Sequence, residues 1–268
     1  MATDKHSIFT AKSINDILYQ LKTVNNLQLI GGATYIKDFP EKALSVRNIP
    51  ELQEIDKHER FIDFGPAVSL NRILHLGRNA IPSILYDSIL SMSNHAVRNM
   101  ATIGGNIMAK DKRLSLVAPL TVLESTLKFK TQKTTDVIPI TKVDSVPANA
   151  VLVSIRIPTD EWNVEIFKRL GPSYKITNES ASFCFLAKTE KNLLINLKLC
   201  FAGPFIFQSK ELESKFLGVR LPLSQSVIHD FITIASREFD EYAKDIQYEP
   251  ILKQQFLNLI AYSLHELT

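Results

Sequence analysis

Four of the nine glycines in this chain of 268 residues stand in two pairs, Gly31-Gly32 and Gly104-Gly105. Each pair directly follows an apolar segment, LQLI before the first and ATI before the second. Because glycine lacks a Cβ and reaches positive φ, the backbone N–H groups of paired glycines at a strand end can converge on an anion. Two such loops would suit the two phosphate groups of a diphosphate.

Polar side chains accompany both glycine pairs. Thr34 and Tyr35 follow the first pair, and Thr102 and Asn106 flank the second, so hydroxyl and amide groups can add contacts to those of the backbone. Neither pair fits the G-x-G-x-x-G or the P-loop pattern, which gives a Rossmann or kinase-like site no support. Tight turns also use Gly-Gly, so the residues alone leave two interpretations open: a pair of phosphate-binding loops, or two ordinary turns.

The elements that would carry these loops alternate between helix and strand. Ser13 and Ser69 each precede apolar residues at helical spacing, as helix caps do, and LQLI is a short apolar strand between them. In the C-terminal part, two strand-like runs about a TEKN turn predict an antiparallel hairpin. Two amphipathic helices follow it, the first capped at Ser224 or Ser226. The pattern predicts an α+β fold with a domain boundary near 163–178.

Composition excludes several classes of function. Hydrophobic residues make up 45% of the chain and charged residues 22%, and no run is long and apolar enough to span a bilayer, so no membrane partner is expected. The net charge is only +3 and no basic run is interleaved with aromatic residues, which argues against a nucleic-acid partner. The N-terminal residues lack the pattern of a secretory leader, so a cytoplasmic location is expected.

Cysteine and histidine usage argues against a metal site. Cys184 and Cys200 lie in strand-like runs, which favours two buried thiols over a disulfide. Two cysteines cannot ligate an iron–sulfur cluster, which normally takes four thiolates, and the six histidines are scattered without metal-ligand spacing. No metal is therefore expected in this chain.

The segment around the second glycine pair carries a resemblance to a known family. RNMATIGGNIM at 98–108 resembles the R-N-x-A-T-I-G-G-N-I segment of the FAD-binding subunits of molybdopterin hydroxylases, the family of xanthine dehydrogenase, carbon monoxide dehydrogenase and nicotinate dehydrogenase. In the same order, LIGGATYI at 29–36 resembles the family's first pyrophosphate loop, and FGPAVSLNRI at 64–73 resembles one of its strands and the helix after it. Looser similarity continues after residue 165, so the resemblance covers nearly the whole chain.

The resemblance implies a fold of two domains. Residues 1–165 would form a two-lobed FAD-binding domain of the PCMH type, with two α/β lobes. Residues 166–268 would form the small α+β C-terminal domain of carbon monoxide dehydrogenase flavoproteins, an antiparallel sheet with helices.

The resemblance also implies which residues bind FAD. Where the family has Ser-Asp this chain has Ser115-Leu116, so Asp111 is included as the substitute for the missing carboxylate, and Arg169 stands at the position of a family lysine. No catalytic side chain is expected, because hydride transfer from a flavin requires no protein acid, base or nucleophile. The cofactor-binding residues carried over are Ile30, Gly31, Gly32, Ala33, Thr34, Tyr35, Ile36, Thr102, Gly104, Gly105, Asn106, Asp111 and Arg169.

The function implied by the resemblance is an electron relay of the xanthine dehydrogenase type. Electrons would arrive from a 2Fe-2S iron–sulfur subunit, pass through FAD and leave to NAD+ as the acceptor, while a molybdopterin-binding subunit hydroxylates the substrate. Two alternatives stay open. One is a stand-alone FAD oxidoreductase on a related fold, such as the UDP-N-acetylenolpyruvylglucosamine reductases; the other is a flavin-free assembly subunit in which Leu116 marks a degenerate site.

Overall fold

The chain passes repeatedly between two structural units. The computed structural model describes residues 6–145, 149–172 and 175–268. The first unit comprises Met1–Ile81, Asn94–Lys110 and Leu123–Thr159, and the second comprises Pro82–Ser93, Asp111–Val122 and Asp160–Thr268. Both units combine helices with sheets, which confirms the predicted α+β class. The domain boundary between residues 165 and 166 stays a prediction.

Twelve strands and nine α-helices lie in the described part of the chain. Among these helices, none is both long and apolar enough to cross a membrane. The strands are β1 (Ser7–Phe9), β2 (Gln28–Ile30), β3 (Lys42–Ser45), β4 (Ile55–Lys57), β5 (Phe61–Phe64), β6 (Thr126–Lys130), β7 (Thr135–Pro139), β8 (Val151–Pro158), β9 (Val164–Leu170), β10 (Ala181–Glu190), β11 (Leu193–Ala202) and β12 (Ile206–Phe207). The helices are α1 (Ile14–Thr23), α2 (Leu70–Leu74), α3 (Ser83–Leu90), α4 (His95–Met100), α5 (Ile103–Met108), α6 (Val117–Val122), α7 (Lys210–Lys215), α8 (Gln225–Tyr242) and α9 (Pro250–His265).

The first sheet of the first unit is parallel and has the strand order β1-β3-β2. Helix α1 connects β1 to β2, and Ser13 caps it as predicted, because its Oγ accepts a hydrogen bond from the N–H of Asp16 at 3.1 Å. Ile17 and Leu18 of this helix are buried with Leu44 of β3 in a small apolar core. Since β2 and β3 are parallel neighbours, they end at the same edge, and the residues that follow each strand meet there.

The second sheet of the first unit has five antiparallel strands in the order β4-β5-β8-β6-β7. Between β5 and β6 this unit also contains α2, α4 and α5. Ser69 caps α2 as predicted, accepting from the N–H of Arg72 at 3.2 Å. An isolated antiparallel bridge joins Ser69 to Thr102, so the starts of α2 and α5 lie side by side.

The second unit is built on a four-stranded antiparallel sheet of order β12-β11-β10-β9. Strands β10 and β11 form the predicted hairpin, and both of its turn residues have positive φ, 48° at Lys191 and 61° at Asn192, as a type I′ turn requires. On one face, Phe183 and Phe201 pack edge-to-face against Phe256 of α9. This face and helices α7, α8 and α9 share one large apolar core.

The opposite face of this sheet is covered by helices from earlier in the sequence. Helix α3 packs on β9, and helix α6 packs on β10 and β11. Cys184 and Cys200 lie directly opposite each other in the ladder, are fully buried and are free thiols, which confirms the sequence prediction. Because α6 contacts both β10 and β11, this helix lies over the sheet face that carries the cysteine pair. The two helical layers of the second unit therefore come from different parts of the chain: α3 and α6 precede the strands of the sheet, and α7, α8 and α9 follow them.

A buried carboxylate connects α7 to this sheet. Glu213 is only 5% exposed, and its Oε1 accepts the N–H of Leu199 at 2.9 Å. Its Oε2 lies 3.2 Å from Nζ of Lys210. Burial raises the pKa of Glu213 above its ordinary value of 4.5, and the bond from Leu199 and the charge of Lys210 offset only part of that effect. A group whose folded-state pKa is raised stabilises the fold at low pH, and that stability is lost as pH rises through the raised pKa.

We expect Glu213→Gln to stabilise the protein near neutral pH. Glutamine keeps an oxygen for the N–H of Leu199 but has no charge to desolvate, so the free energy of unfolding should exceed that of the wild type by an amount that grows as pH rises from 4.5. Denaturant unfolding followed across that range measures the difference. Glu211→Gln, the same change on the exposed side of α7, is the matched control. A variant less stable than wild type near neutral pH would show that the pairing with Lys210 outweighs desolvation.

Candidate cofactor site

The first glycine pair begins a loop at the carboxyl end of β2. The N–H of Val46, just after β3, donates to the carbonyl of Ile30 at 2.9 Å and fixes the point where the loop leaves the sheet. The left-handed conformation in this loop occurs at Ala33, with φ of 55°, and neither Gly31 nor Gly32 has positive φ. The expectation that the glycines supply the positive φ is therefore wrong, and they serve another purpose.

Unused backbone donors distinguish this first loop. In the described part of the chain, no hydrogen bond uses the N–H groups of Gly31, Gly32, Ala33 or Thr34. Ala33 and Thr34 are exposed and Gly31 is half-buried, whereas Gly32 is buried. Backbone N–H groups are strong donors that require partners, and a succession of them around one left-handed residue forms a concave anion site. The loop therefore fits a phosphate group.

The second glycine pair lies in a helix, not in a strand-end loop. Thr102 caps α5, so Gly104 and Gly105 occupy its first turn with ordinary helical φ, and the expectation of a glycine nest after a strand is wrong here. The four N–H groups at this helix start all donate within the protein: Ile103 to the carbonyl of Val68 (3.0 Å), Gly104 to that of Pro66 (3.0 Å), Gly105 to Oγ1 of Thr102 (3.0 Å) and Asn106 to the carbonyl of Thr102 (3.0 Å).

The two glycine pairs are in contact with each other. A Cβ on Gly32 would overlap the carbonyl oxygen of Met100, and a Cβ on Gly31 would lie 2.6 Å from Oγ1 of Thr102 and 3.8 Å from Cα of Gly105. Absence of a side chain is therefore required for close approach of the two segments. The fold brings together Gly31–Ile36 and Thr102–Asn106, the two segments that the sequence predicted to hold the diphosphate.

The remaining predicted residues of these segments differ in exposure. Ile30 is half-buried as the last residue of β2, Tyr35 is half-buried, and Ile36 is 39% exposed. Thr102 is only 2% exposed, and its hydroxyl oxygen accepts the N–H of Gly105, so this side chain orders the start of α5. Asn106 is half-buried in the same helix. Their contact with FAD stays a prediction.

Asp111 and Arg169 belong to the second unit. The carboxylate of Asp111 accepts from Nε and Nη2 of Arg113 at 2.9 and 2.7 Å. The guanidinium of Arg169 donates to the carbonyls of Ser91 at 3.1 Å and Pro172 at 2.9 Å, and burial lowers its pKa. Both side chains thus have local structural bonds, and their roles toward FAD stay predictions.

Leu116, which stands at the position of the missing carboxylate, is fully buried in the second unit. The main chain there is helical in character, because the carbonyl of Leu116 accepts from the N–H of Leu120 at 3.1 Å. The substitution therefore contributes an apolar side chain to the packing around α6.

Two residues near the glycine pairs were missed by the sequence interpretation. Pro66 lies against Gly104, where an added Cβ would be 2.7 Å from the Pro66 carbonyl oxygen. Arg47 donates from Nη2 to the carbonyl of Asn99 at 3.0 Å and from Nη1 to Sδ of Met100 at 2.8 Å. Its position just past the end of β3, beside the first loop, could have indicated it once β2 and β3 were recognised as parallel neighbours.

Comparison with known proteins identifies the family. Residues 4–160 match the family described as the FAD binding domain in molybdopterin dehydrogenase. The chain belongs to this family. FAD is accordingly its cofactor, as the sequence predicted. Both glycine pairs and the residues around them lie inside the matched range.

Curated relatives and solved structures agree with this family. Indole-3-acetaldehyde oxidase of Zea mays is 25% identical over 209 residues, which is 74% of this chain and 15% of that protein. Abscisic-aldehyde oxidase of Arabidopsis thaliana is 28% identical over 115 residues, which is 39% of this chain and 9% of that protein. The chain thus spans a small fraction of the length of these relatives.

Single chains of two solved structures share the fold over their whole length. A Cu,Mo-CO dehydrogenase in its cyanide-inactivated form has a TM-score of 0.80 at 14% identity, with 98% of this chain and 96% of that chain covered. Quinoline 2-oxidoreductase from Pseudomonas putida 86 has a TM-score of 0.79 at 14% identity, with 98% and 95% covered. At these identities the likeness shows the fold, and it confirms the predicted fold type.

Proposed function

We propose that this chain is the flavin-carrying electron relay of a multi-subunit molybdenum hydroxylase. It receives electrons from a 2Fe-2S subunit, and NAD+ is the acceptor that takes them from FAD. Hydroxylation of the substrate takes place on a separate molybdopterin-binding subunit, and the complex is cytoplasmic. The observation that carries the proposal is the family match over residues 4–160. The aldehyde oxidases, the CO dehydrogenase and the quinoline oxidoreductase support it as relatives in sequence or fold.

In this proposal the residues of the chain bind and orient the cofactor. The unused N–H groups of Gly31–Thr34 hold one side of the diphosphate, and the Thr102 hydroxyl stands beside them. Bound FAD supplies the redox chemistry, since it exchanges single electrons with iron–sulfur centres and two electrons, as a hydride, with a nicotinamide. The described residues include no group of three or more histidine, cysteine, aspartate or glutamate side chains that could hold a metal. The proposal therefore assigns the metal centres to partner subunits.

The proposal is tested by assaying the isolated chain beside a co-expressed assembly. We expect the isolated chain, loaded with FAD, to let NADH reduce an artificial dye but not to oxidise xanthine, other heteroaromatic compounds or aldehydes. Oxidation of such a substrate should appear only when a 2Fe-2S subunit and a molybdenum subunit are co-expressed, and the three should co-purify. Substrate oxidation by the isolated chain would overturn the relay assignment. A dye reaction that NADH never starts would exclude nicotinamide as the acceptor.

A further inference from the structure

Arg47 is a cationic residue near the two contacting glycine pairs, and the FAD site inferred from the sequence did not include it. Parallel strands β2 and β3 end at one edge, where the first loop follows β2 and Arg47 follows β3. The bond from the Val46 N–H to the Ile30 carbonyl ties the two strand ends together immediately before Arg47 and Gly31. Arg47 therefore directly follows the residue whose hydrogen bond fixes the start of the first loop.

The Arg47 side chain reaches the segment that Gly32 touches. Its Nη2 donates to the carbonyl of Asn99 at 3.0 Å, and its Nη1 lies 2.8 Å from Sδ of Met100. The carbonyl oxygen of the same Met100 packs against Gly32. The guanidinium and Gly32 of the first loop therefore contact the same residue, Met100.

The guanidinium of Arg47 has no neutralising partner in the part of the chain that the structure describes. Among the described residues, Arg47 forms no ion pair with a carboxylate, whereas Arg113 and Arg156 are each paired bidentately, with Asp111 and Asp63. Guanidinium has five donors, and within the described ranges its acceptors are the main-chain carbonyl of Asn99 and the thioether sulfur of Met100, which is a weak acceptor. An uncompensated charge with spare donors beside a concave row of N–H groups favours an anion in that place.

We propose that Arg47 is a positioning residue for FAD: its charge attracts the diphosphate to the first loop, and its bonds to Asn99 and Met100 hold those residues against Gly32. This inference rests on FAD binding by the chain. The positive side chain at the diphosphate site would then come from Arg47, which follows strand β3 and belongs to neither glycine pair.

The test compares FAD dissociation constants of four apoproteins by flavin fluorescence. The proteins are wild type, Arg47→Met, Arg47→Lys and Arg72→Met. Arg72 is the matched control, since it lies in the same unit and its side chain donates to one backbone carbonyl, that of Gln53 at 2.7 Å. Each titration is repeated at about 0.01 M and about 1 M salt, over which the screening length falls from roughly 30 Å to roughly 3 Å.

We expect Arg47→Met to weaken FAD binding at least about tenfold at low salt, and the difference from wild type to shrink at high salt, because an electrostatic contribution is screened. Arg47→Lys should recover part of the loss, and Arg72→Met should bind as wild type does. Equal dissociation constants for wild type and Arg47→Met would overturn the inference. So would a loss that is the same at both salt concentrations and is not recovered by lysine, since that result describes packing alone. Failure of the wild type itself to bind FAD would instead refute the function proposed above.

Discussion

A chain with Gly32→Ala is expected to lose FAD while remaining folded. The added Cβ would overlap the Met100 carbonyl oxygen and lie 3.0 Å from Cα of Ala101, and both are backbone atoms that cannot rotate away. The two segments must then move apart, and overpacking of this kind typically costs about 1–3 kcal/mol. We expect the dissociation constant of FAD to rise by about 5-fold to 150-fold, since each 1.4 kcal/mol corresponds to a factor of ten. Fluorescence titration measures the constant, and circular dichroism verifies the fold.

Gly105→Ala is the matched control for this prediction. A Cβ there meets only the hydroxyl oxygen of Thr102, at 2.9 Å, and the N–H of Gly105 already bonds that oxygen. Alanine is also the better helix former, by about 1 kcal/mol, in the first turn of α5. We expect its FAD affinity to stay within about threefold of wild type. Equal and complete loss of FAD in both variants would mean that Gly105 itself approaches the phosphate, as the sequence resemblance implies.

Local features of the fold could be predicted from the sequence because local chemistry decides them. Ser13, Ser69 and Ser224 each stand before helical apolar spacing, and each accepts a hydrogen bond from the N–H three residues later. The hairpin about the TEKN turn follows from alternating apolar residues on both sides. Thr102 followed by Ile103 is a cap signature of the same kind, so the helix at the second glycine pair was within reach of the same reasoning.

Contacts between distant segments could not be predicted from local patterns. Arg47 and Met100 are 53 positions apart, and no spacing rule relates them. The close approach of Gly32 to Met100 likewise depends on how two segments are brought together, which the family resemblance implied but the residues alone did not. Apolar spacing likewise could not show that helices α3 and α6 pack on strands formed much later in the chain.

The packing of α3 and α6 on strands β9, β10 and β11 leads to an expected result for the C-terminal part of the chain. Residues 160–268, expressed alone, should fail to form the native second unit, because α3 and α6 lie outside that fragment. Buried apolar side chains of α3 and α6 or beside them include Ile84, Leu85, Ile89, Leu116, Leu120 and Val122. Burial of each such side chain contributes roughly 1.5–3 kcal/mol. The burial free energy lost with these side chains together is comparable with the whole stability of a typical domain, about 5–15 kcal/mol.

The only two cysteines of the chain report directly on this packing. Cys184 and Cys200 are fully buried on the sheet face that α6 covers, so in the native chain of residues 1–268 a thiol reagent should label neither until the protein unfolds. In the isolated fragment 160–268 both should react at once, and thermal unfolding should lose its cooperativity. Co-expression with residues 1–159, which contain α3 and α6, should restore protection and let the two fragments purify together. If the fragment alone melts cooperatively and protects both thiols, the strands and α7–α9 suffice for the fold, and a domain boundary near residue 165 describes an independent unit.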